Sequence, residues 1–392
     1  MRLSLLTTGL PPHVMGGMET HSLNMTIQLA RLGVDLDVYH ATPSQKSGVN
    51  DQLAQQLPSN VSLLRFDTPR QRRYPGHYVS EARELSSAFL KSYLQGPMAD
   101  VIYAKGLMAT SFITARRKQG KSLPPIVTNV HGYESFQPAA TVIEALKSSI
   151  LRPAFRYVIN HSDFVVSYGG RITELLQEQL HVNPSRIIEL PGAVDDEFVD
   201  APLSSTSSQT RRFAFVGRYE RRKGLEELAQ VLREDAAGSH EFHLIGPIPN
   251  PIVTQFPDTV TFHGRVSDRT ELIGLLDSID VLVCPSWSEG MPNVIMEAMT
   301  RRSAVIATDV GATRLLVNDD NGRLIPPRKP DALADTICEL AKVSDEELSE
   351  MKEESRRRII DRFTWSALGP QSVEILNAVV EHEGSRSQTT AA

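Results

Sequence analysis

At 392 residues the chain is too long for one ordinary hydrophobic core and fits two domains of nearly equal size. Hydrophobic residues at 41%, charged at 22% and aromatic at 6% exclude a disordered or fibrous chain, and a net charge of -6 gives no whole-molecule attraction to nucleic acid. Cys284 and Cys338, the only cysteines, sit in apolar contexts and supply neither a disulfide framework nor a zinc site, so a reducing, cytoplasmic compartment is expected.

In chain order, the opening MRLSLLTTGL has too short an apolar run and no cleavage site to read as a signal peptide. No later run reaches the roughly 18 apolar residues of a membrane span. Short Val- and Ile-rich runs then alternate with helical-period stretches, the pattern of βαβ units with parallel strands. Strands are predicted at 3–6, 36–39, 101–103, 126–129, 164–167 and 187–190, and again at 213–216, 242–245, 260–263, 281–284, 305–307 and 322–325. The Ser/Thr-rich stretch between the two series has no apolar period. The expected organisation is α/β: a first domain over 1–198, a linker over 199–212 and a second domain over 213–369. Helices over about 345–381 are expected to break near Gly369-Pro370, a last helix at about 370–384 to return to the first domain, and the polar tail EGSRSQTTAA to be disordered. Two doubly wound sheets facing each other define one cleft beyond the carboxyl ends of their strands.

Four stretches fall on those ends. After the first strand, Gly16-Gly17 open a helix where backbone N–H groups can meet a phosphate, with Glu19 in the first turn; no complete G-x-G-x-x-G is present. After the first strand of the second domain, GRYERRKG gathers Arg218, Arg221, Arg222 and Lys223, a set suited to a diphosphate, of which Arg221 and Arg222 read as a solvated basic face. NVHGYESF places His131 just past a strand, while His21 and His263 are weaker candidates. PSWSEGMPNVIMEAM holds Glu289 and Glu297, eight residues apart. On one continuous helix they would be ~12 Å apart along the axis at ~1.5 Å per residue, beyond the roughly 5 to 9.5 Å of a glycosidase pair. Gly290 and Pro292 instead start the helix near Pro292, so the two glutamates read as separate grips on an elongated ligand.

Taken together, FVGRYERRKG, FHGRVSDRTEL and PSWSEGMPNVIMEAM, in that order, resemble the retaining glycosyltransferases of family 4, which have the GT-B architecture of two Rossmann-like domains. The last stretch is that family's E-x7-E motif. The resemblance implies a donor diphosphate near Gly16 and Gly17, clamped by Arg218 and Lys223. It implies Glu289 on sugar hydroxyls, Glu297 on the ribose, and main-chain N–H groups around Met291, Asn293 and Val294 completing the cradle. His131 would lie close to the transferred sugar, and the base against the loop holding Gly264 and Val266. It implies metal-independent transfer of a hexosyl group from a nucleotide-diphosphate sugar to a glycan, lipid-linked or small-molecule acceptor, with no cofactor. Asp319-Asp320 reads as solvated loop rather than a metal motif. Arg302 stands where the family often has glycine, at an expected left-handed helix end. Arg70, Arg72, Arg73, Arg152 and Arg156, set among apolar residues, are candidates for peripheral contact with an anionic membrane. A sugar-nucleotide epimerase and a non-catalytic nucleotide-sugar or polyanion-binding protein are the alternative readings.

Overall fold

A computed structural model describes residues 1–14, 16–43, 53–55, 57–70, 72, 74–203, 210–234 and 240–390, without the side chains of 383–390. Its strands, all paired in parallel, form two sheets. The first contains β1 (Arg2–Leu6), β2 (Asp35–Thr42), β3 (Val61–Asp67), β4 (Val101–Lys105), β5 (Ile126–Asn129), β6 (Phe164–Ser167) and β7 (Ile187–Glu189), in the order β3-β2-β1-β4-β5-β6-β7. The second contains β8 (Arg212–Val216), β9 (Glu241–Ile245), β10 (Val260–Gly264), β11 (Val281–Cys284), β12 (Ala304–Thr308) and β13 (Gly322–Ile325), in the order β10-β9-β8-β11-β12-β13. Central strands such as β4, β5, β11 and β12 are buried along their whole length, as continuous apolar runs covered on both faces must be. Among the described strands only β3 escapes the sequence reading. It lies at a sheet edge, partly exposed, and its VSLLRFD is neither continuously apolar nor alternating.

Helices of eight or more residues cover the sheets: α1 (Gly17–Arg31), α2 (His77–Tyr93), α3 (Thr110–Gln119), α4 (Val142–His161), α5 (Leu225–Arg233), α6 (Arg269–Asp277), α7 (Asn293–Thr300), α8 (Pro330–Lys342), α9 (Asp345–Arg362) and α10 (Trp365–Thr390). The break expected near Gly369-Pro370 falls instead at Phe363 and Thr364, and Pro370 sits inside α10. The backbone of the tail continues α10 to Thr390 rather than leaving it, since extending a formed helix adds a hydrogen bond per residue. Trp365, Leu376 and Val379 of α10 share one buried cluster with Leu3, Leu5, Val101 and Val127 of the first sheet. The chain therefore crosses between the sheets twice. The crossings lie side by side, with Val194 bridged to Thr364 and its N–H donating to the Phe363 carbonyl at 2.8 Å. The buried Arg301 guanidinium clamps the start of the expected linker, donating to the carbonyls of Phe198, Ala201 and Pro202 while paired with Asp277 at 2.7 Å; residues 204–209 lie outside the described set.

Strand order reverses between β1 and β4 in one sheet and between β8 and β11 in the other. Crevices at such reversals are where open α/β sheets bind ligands. The loops that leave these four strands carry Gly16-Gly17, Gly106, Gly217 to Lys223, and Pro285 to Pro292.

Candidate functional site

Where the two crevices meet lies a cavity of about 380 Å³, lined from the first domain by Gly17, Met18, His21, His131, Gly132, Glu134 and Tyr168 and from the second by Arg218, Lys223, Glu289, Met291, Asn293 and Val294 among others. Two helices point their N-termini into it. The N-cap of α1 is Gly16 and that of α7 is Pro292, and neither end has a side-chain cap. Gly17 and Asn293 face each other closely enough that a Cβ on Gly17 would lie 3.8 Å from the Asn293 amide nitrogen. Uncapped N–H groups from two opposed helices form a ready anion cradle. Gly16 is extended, so no backbone torsion requires glycine there; a Cβ would instead meet the Glu19 carboxylate at 2.4 Å.

The second domain adds cations. Lys223 Nζ donates to Glu289 Oε1 at 2.7 Å, the Ser286 hydroxyl donates to the same oxygen at 2.7 Å, and Arg222 lies 3.5 Å from the other. Glu289 is buried. Burial pushes its carboxyl up, but Lys223 and Arg222 overcome that and hold it below the usual carboxylate range. Arg218 is paired with Glu220 yet 69% exposed, reaching into the open cleft. The expectation of a solvated face at Arg221 and Arg222 is wrong. Arg222 is only 23% exposed and donates to the Ser288 carbonyl at 2.9 Å, while Arg221 pairs with Glu227 and stacks on Trp287. A 3-10 turn over Arg221–Lys223 directs these side chains inward, a local geometry that charge counting does not reveal.

On the opposite wall, His131 has a left-handed backbone, φ 63°, fixed by its N–H donating to Asn129 Oδ1 at 2.8 Å. Its Nδ1 is bound to the Tyr168 hydroxyl; its Nε2 is buried without a hydrogen-bond partner among the described residues. Burial, then the charge of Lys105, keeps His131 largely neutral, well below the usual imidazole range. Gly132 and Gly290 bring the domains into contact, since a Cβ on Gly290 would lie 2.9 Å from the Gly132 Cα, and the Gln137 amide donates across the junction to the Glu289 carbonyl at 2.6 Å.

Residues 210–342 match the family model described as Glycosyl transferases group 1, and residues 15–198 match that of Glycosyltransferase Family 4. The chain belongs to this glycosyltransferase family. Among curated relatives it is 26% identical to a phosphatidyl-myo-inositol mannosyltransferase of Mycolicibacterium smegmatis, over 93% of this chain and 91% of that one. It is 24% identical to the same organism's alpha-maltose-1-phosphate synthase, over 97% and 100% of the respective chains. Its fold matches sucrose-phosphate synthase from Thermosynechococcus elongatus with a TM-score of 0.76 at 17% identity, covering 100% of both chains. Anabaena HepE in complex with UDP-glucose matches with a TM-score of 0.67 at 16% identity, over 96% of this chain and 100% of that one. The architecture is GT-B.

In this glycosyltransferase the cavity gathers most of the residues singled out from sequence but not Gly16, Gly264, Val266 or Glu297. Gly264, with φ 66°, is exposed and accepts from Gly246 N–H at 2.8 Å; Val266 is half-buried against the core of the second domain. Glu297 lies next door, in a small recess with Thr20, Asn24, Asp195 and Arg269. Burial pushes its carboxyl up to about 7, with Arg269 opposing and Asp195 reinforcing the shift. Sequence reasoning missed Lys105, which is wholly buried at the end of β4 with Nζ 3.2 Å from His21 Nδ1. Its burial lowers the ammonium to about 7, Glu19 opposing. The signal was available: a lysine and glycine end an otherwise apolar strand, at the end where these sheets place ligands.

Proposed function

We propose that this glycosyltransferase transfers a hexosyl group with retention from a nucleotide-diphosphate sugar to a glycan, lipid-linked or small-molecule acceptor, with no step assigned to a metal. The observation that carries this reading is the convergence of two uncapped helix N-termini with Lys223 and Arg218 on one cavity. Departure of a nucleoside diphosphate leaves negative charge, and preorganised N–H groups and cations stabilise it as it develops. Asn293 and Val294 N–H groups and Gly17 would hold the phosphates, with Arg218 and Lys223 clamping them. Glu289, kept ionised by Lys223 and Arg222, accepts hydrogen bonds from sugar hydroxyls. His131, neutral and with Nε2 unpartnered among the described residues, is available to a hydroxyl of the transferred sugar or the acceptor. The acceptor oxygen attacks the face from which the diphosphate leaves, and a donor phosphate oxygen takes its proton. Glu297 and its recess would hold the ribose. The solved HepE complex with UDP-glucose supports a nucleotide-sugar donor for this fold.

The test is thermal unfolding of the wild type, Arg218→Ala and Glu297→Ala with UDP, GDP and ADP. One nucleotide should stabilise the wild type, by about 2.7 kcal/mol at a hundredfold excess over its Kd. Both substitutions should shrink that shift. Equal responses from all three proteins, or none from the wild type, would refute the donor-site assignment.

A further inference from the structure

The arginines expected from sequence to meet a membrane are largely engaged: Arg72 pairs with Glu84, Arg152 donates to the Ser135 carbonyl, Arg156 lies over Phe136, and Arg73 is outside the described residues. Lys105 is different. It ends β4, one of the two strands between which the order of the first sheet reverses, and it is wholly buried. Around it stand Glu19 and His21 of α1, Tyr103 of its own strand, whose ring centre lies 5.1 Å from Nζ, and His131 beyond β5. Of these only Glu19 carries an opposite charge, and it forms no ion pair with Lys105. Its Oε1 accepts instead from the Thr8 hydroxyl at 3.1 Å.

The polar contact that Lys105 does make leads to the cleft. Nζ lies 3.2 Å from His21 Nδ1, and His21 lines both the cavity between the domains and the recess that holds Glu297. Those two spaces also share Asn293, so the imidazole stands beside the start of α7. On α1, His21 falls one turn after Gly17 and on the same face, its side chain leaning back toward the helix N-terminus. Its ring meets that of His131 edge-on, with centres 5.7 Å apart. An ammonium can only donate, so a charged Lys105 makes Nδ1 the acceptor and puts the imidazole proton on Nε2, the nitrogen left for the cleft.

We propose that His21 is a ligand to the diphosphate of the nucleotide-sugar, donating from Nε2, and that Lys105 is the positioning residue that fixes its tautomer and takes up a proton from solvent as the diphosphate binds. This rests on the donor-site reading and adds two residues to it. A buried ammonium with no opposite charge is costly, and an anion arriving at the neighbouring helix ends supplies that charge. Since burial brings the Lys105 ammonium down to about 7, the free protein holds an amine at pH 8, whereas the nucleotide complex holds an ammonium. Binding and protonation then favour each other. A lysine that only packed would leave nucleotide affinity indifferent to pH.

The experiment is isothermal titration calorimetry of the full chain, Lys105→Met, His21→Gln and His21→Asn with UDP, GDP and ADP, at pH 8 in two buffers of different ionisation enthalpy. A terminal phosphate, with its second ionisation near ~6, is already fully charged there, so protons taken up belong to the protein. The nucleotide that binds the wild type should bring about one proton with it, and its affinity should fall by up to about tenfold between pH 8 and pH 9. Lys105→Met should bind without that uptake and with an affinity flat over the same range. Glutamine sets its amide near the place of Nε2 and asparagine near that of Nδ1, so His21→Gln should keep most of the affinity and His21→Asn should lose on the order of tenfold. Binding by the wild type without proton uptake, uptake that persists in Lys105→Met, or equal affinities of the two folded His21 variants would each overturn the proposal and leave the donor site standing. Should a His21 variant fail to fold, the wild type against Lys105→Met decides alone. Failure of all three nucleotides to bind the wild type would remove the donor site itself, and this assignment with it.

Discussion

Replacing Lys105 by methionine should make the protein more stable at pH 7. Lys105 is fully buried, has no carboxylate within ion-pair distance among the described residues, and keeps one polar contact, to His21 Nδ1 at 3.2 Å. Burial lowers its ammonium from 10.5 to about 7 in the folded state. Between those values the unfolded chain binds the proton that the native state has given up, so stability rises with pH across the window. The cost is absent above pH 10.5, grows as pH falls, and is complete below about 7. At ~1.4 kcal/mol per pH unit the ceiling near neutrality is about 4 kcal/mol. Methionine fills similar space without the charge, and loss of the His21 contact takes back about 1 to 2 kcal/mol. The net expectation is about 2 kcal/mol, or roughly 4–8 °C in the midpoint of a domain of this size. Thermal unfolding of both proteins from pH 6.5 to pH 10, without nucleotide, reads this directly. The gap should narrow as pH rises. A variant less stable at pH 7, or a gap independent of pH, would refute the claim that Lys105 carries a desolvation penalty held in place by something other than folding.

Glu289→Gln leaves Lys223 and Arg222 facing a neutral amide in a buried site and should cost about 3 kcal/mol in urea unfolding at pH 7. Because the native carboxyl is depressed, the wild type's advantage should be full above pH 4.5 and decline as pH falls below it; an advantage that does not decline at all below pH 4.5 would contradict the pairing. Glu297→Gln should work in the opposite sense. Its native carboxyl is raised from 4.5 to about 7, so at ~1.4 kcal/mol per pH unit the variant should be up to about 3 kcal/mol more stable at pH 8 and indistinguishable below pH 4.5, as pH-dependent thermal unfolding would show. Arg302→Gly should stabilise by about 1 kcal/mol, because φ is 62° and only an exposed pair with Glu353 is lost; a lower unfolding midpoint would mean that the pair matters more than the torsion.

Strands buried on both faces were legible because continuous runs such as VLVC and AVIAT have few other uses in a chain of this composition. The edge strand β3 was not, since half-exposure relaxes the apolar demand. Within the site, residues tied to backbone punctuation were readable: Gly17, Glu289 and the α7 start at Pro292 follow from what glycine and proline do. Tyr168 was missed because nothing local separates a hydroxylated group that closes a buried cluster from one that faces water, whereas Lys105 was marked by its place at the end of an apolar strand. The roles of Arg218 and Arg222 were inverted in burial for a similar reason. The turn between β8 and α5, rather than residue type, decides which arginine reaches solvent.

The return of α10 to the first sheet has a consequence for the order of assembly. Residues 365–379 fill a core begun by Leu3 and Leu5, so during synthesis the first domain waits, with an uncovered apolar face, while every strand of the second is made. The second domain's sheet is complete at Ile325, and its helices through α9 precede α10, so the part of the protein started last can close its own core first. Until α10 docks, the nascent first domain is the half most exposed to aggregation and to chaperones.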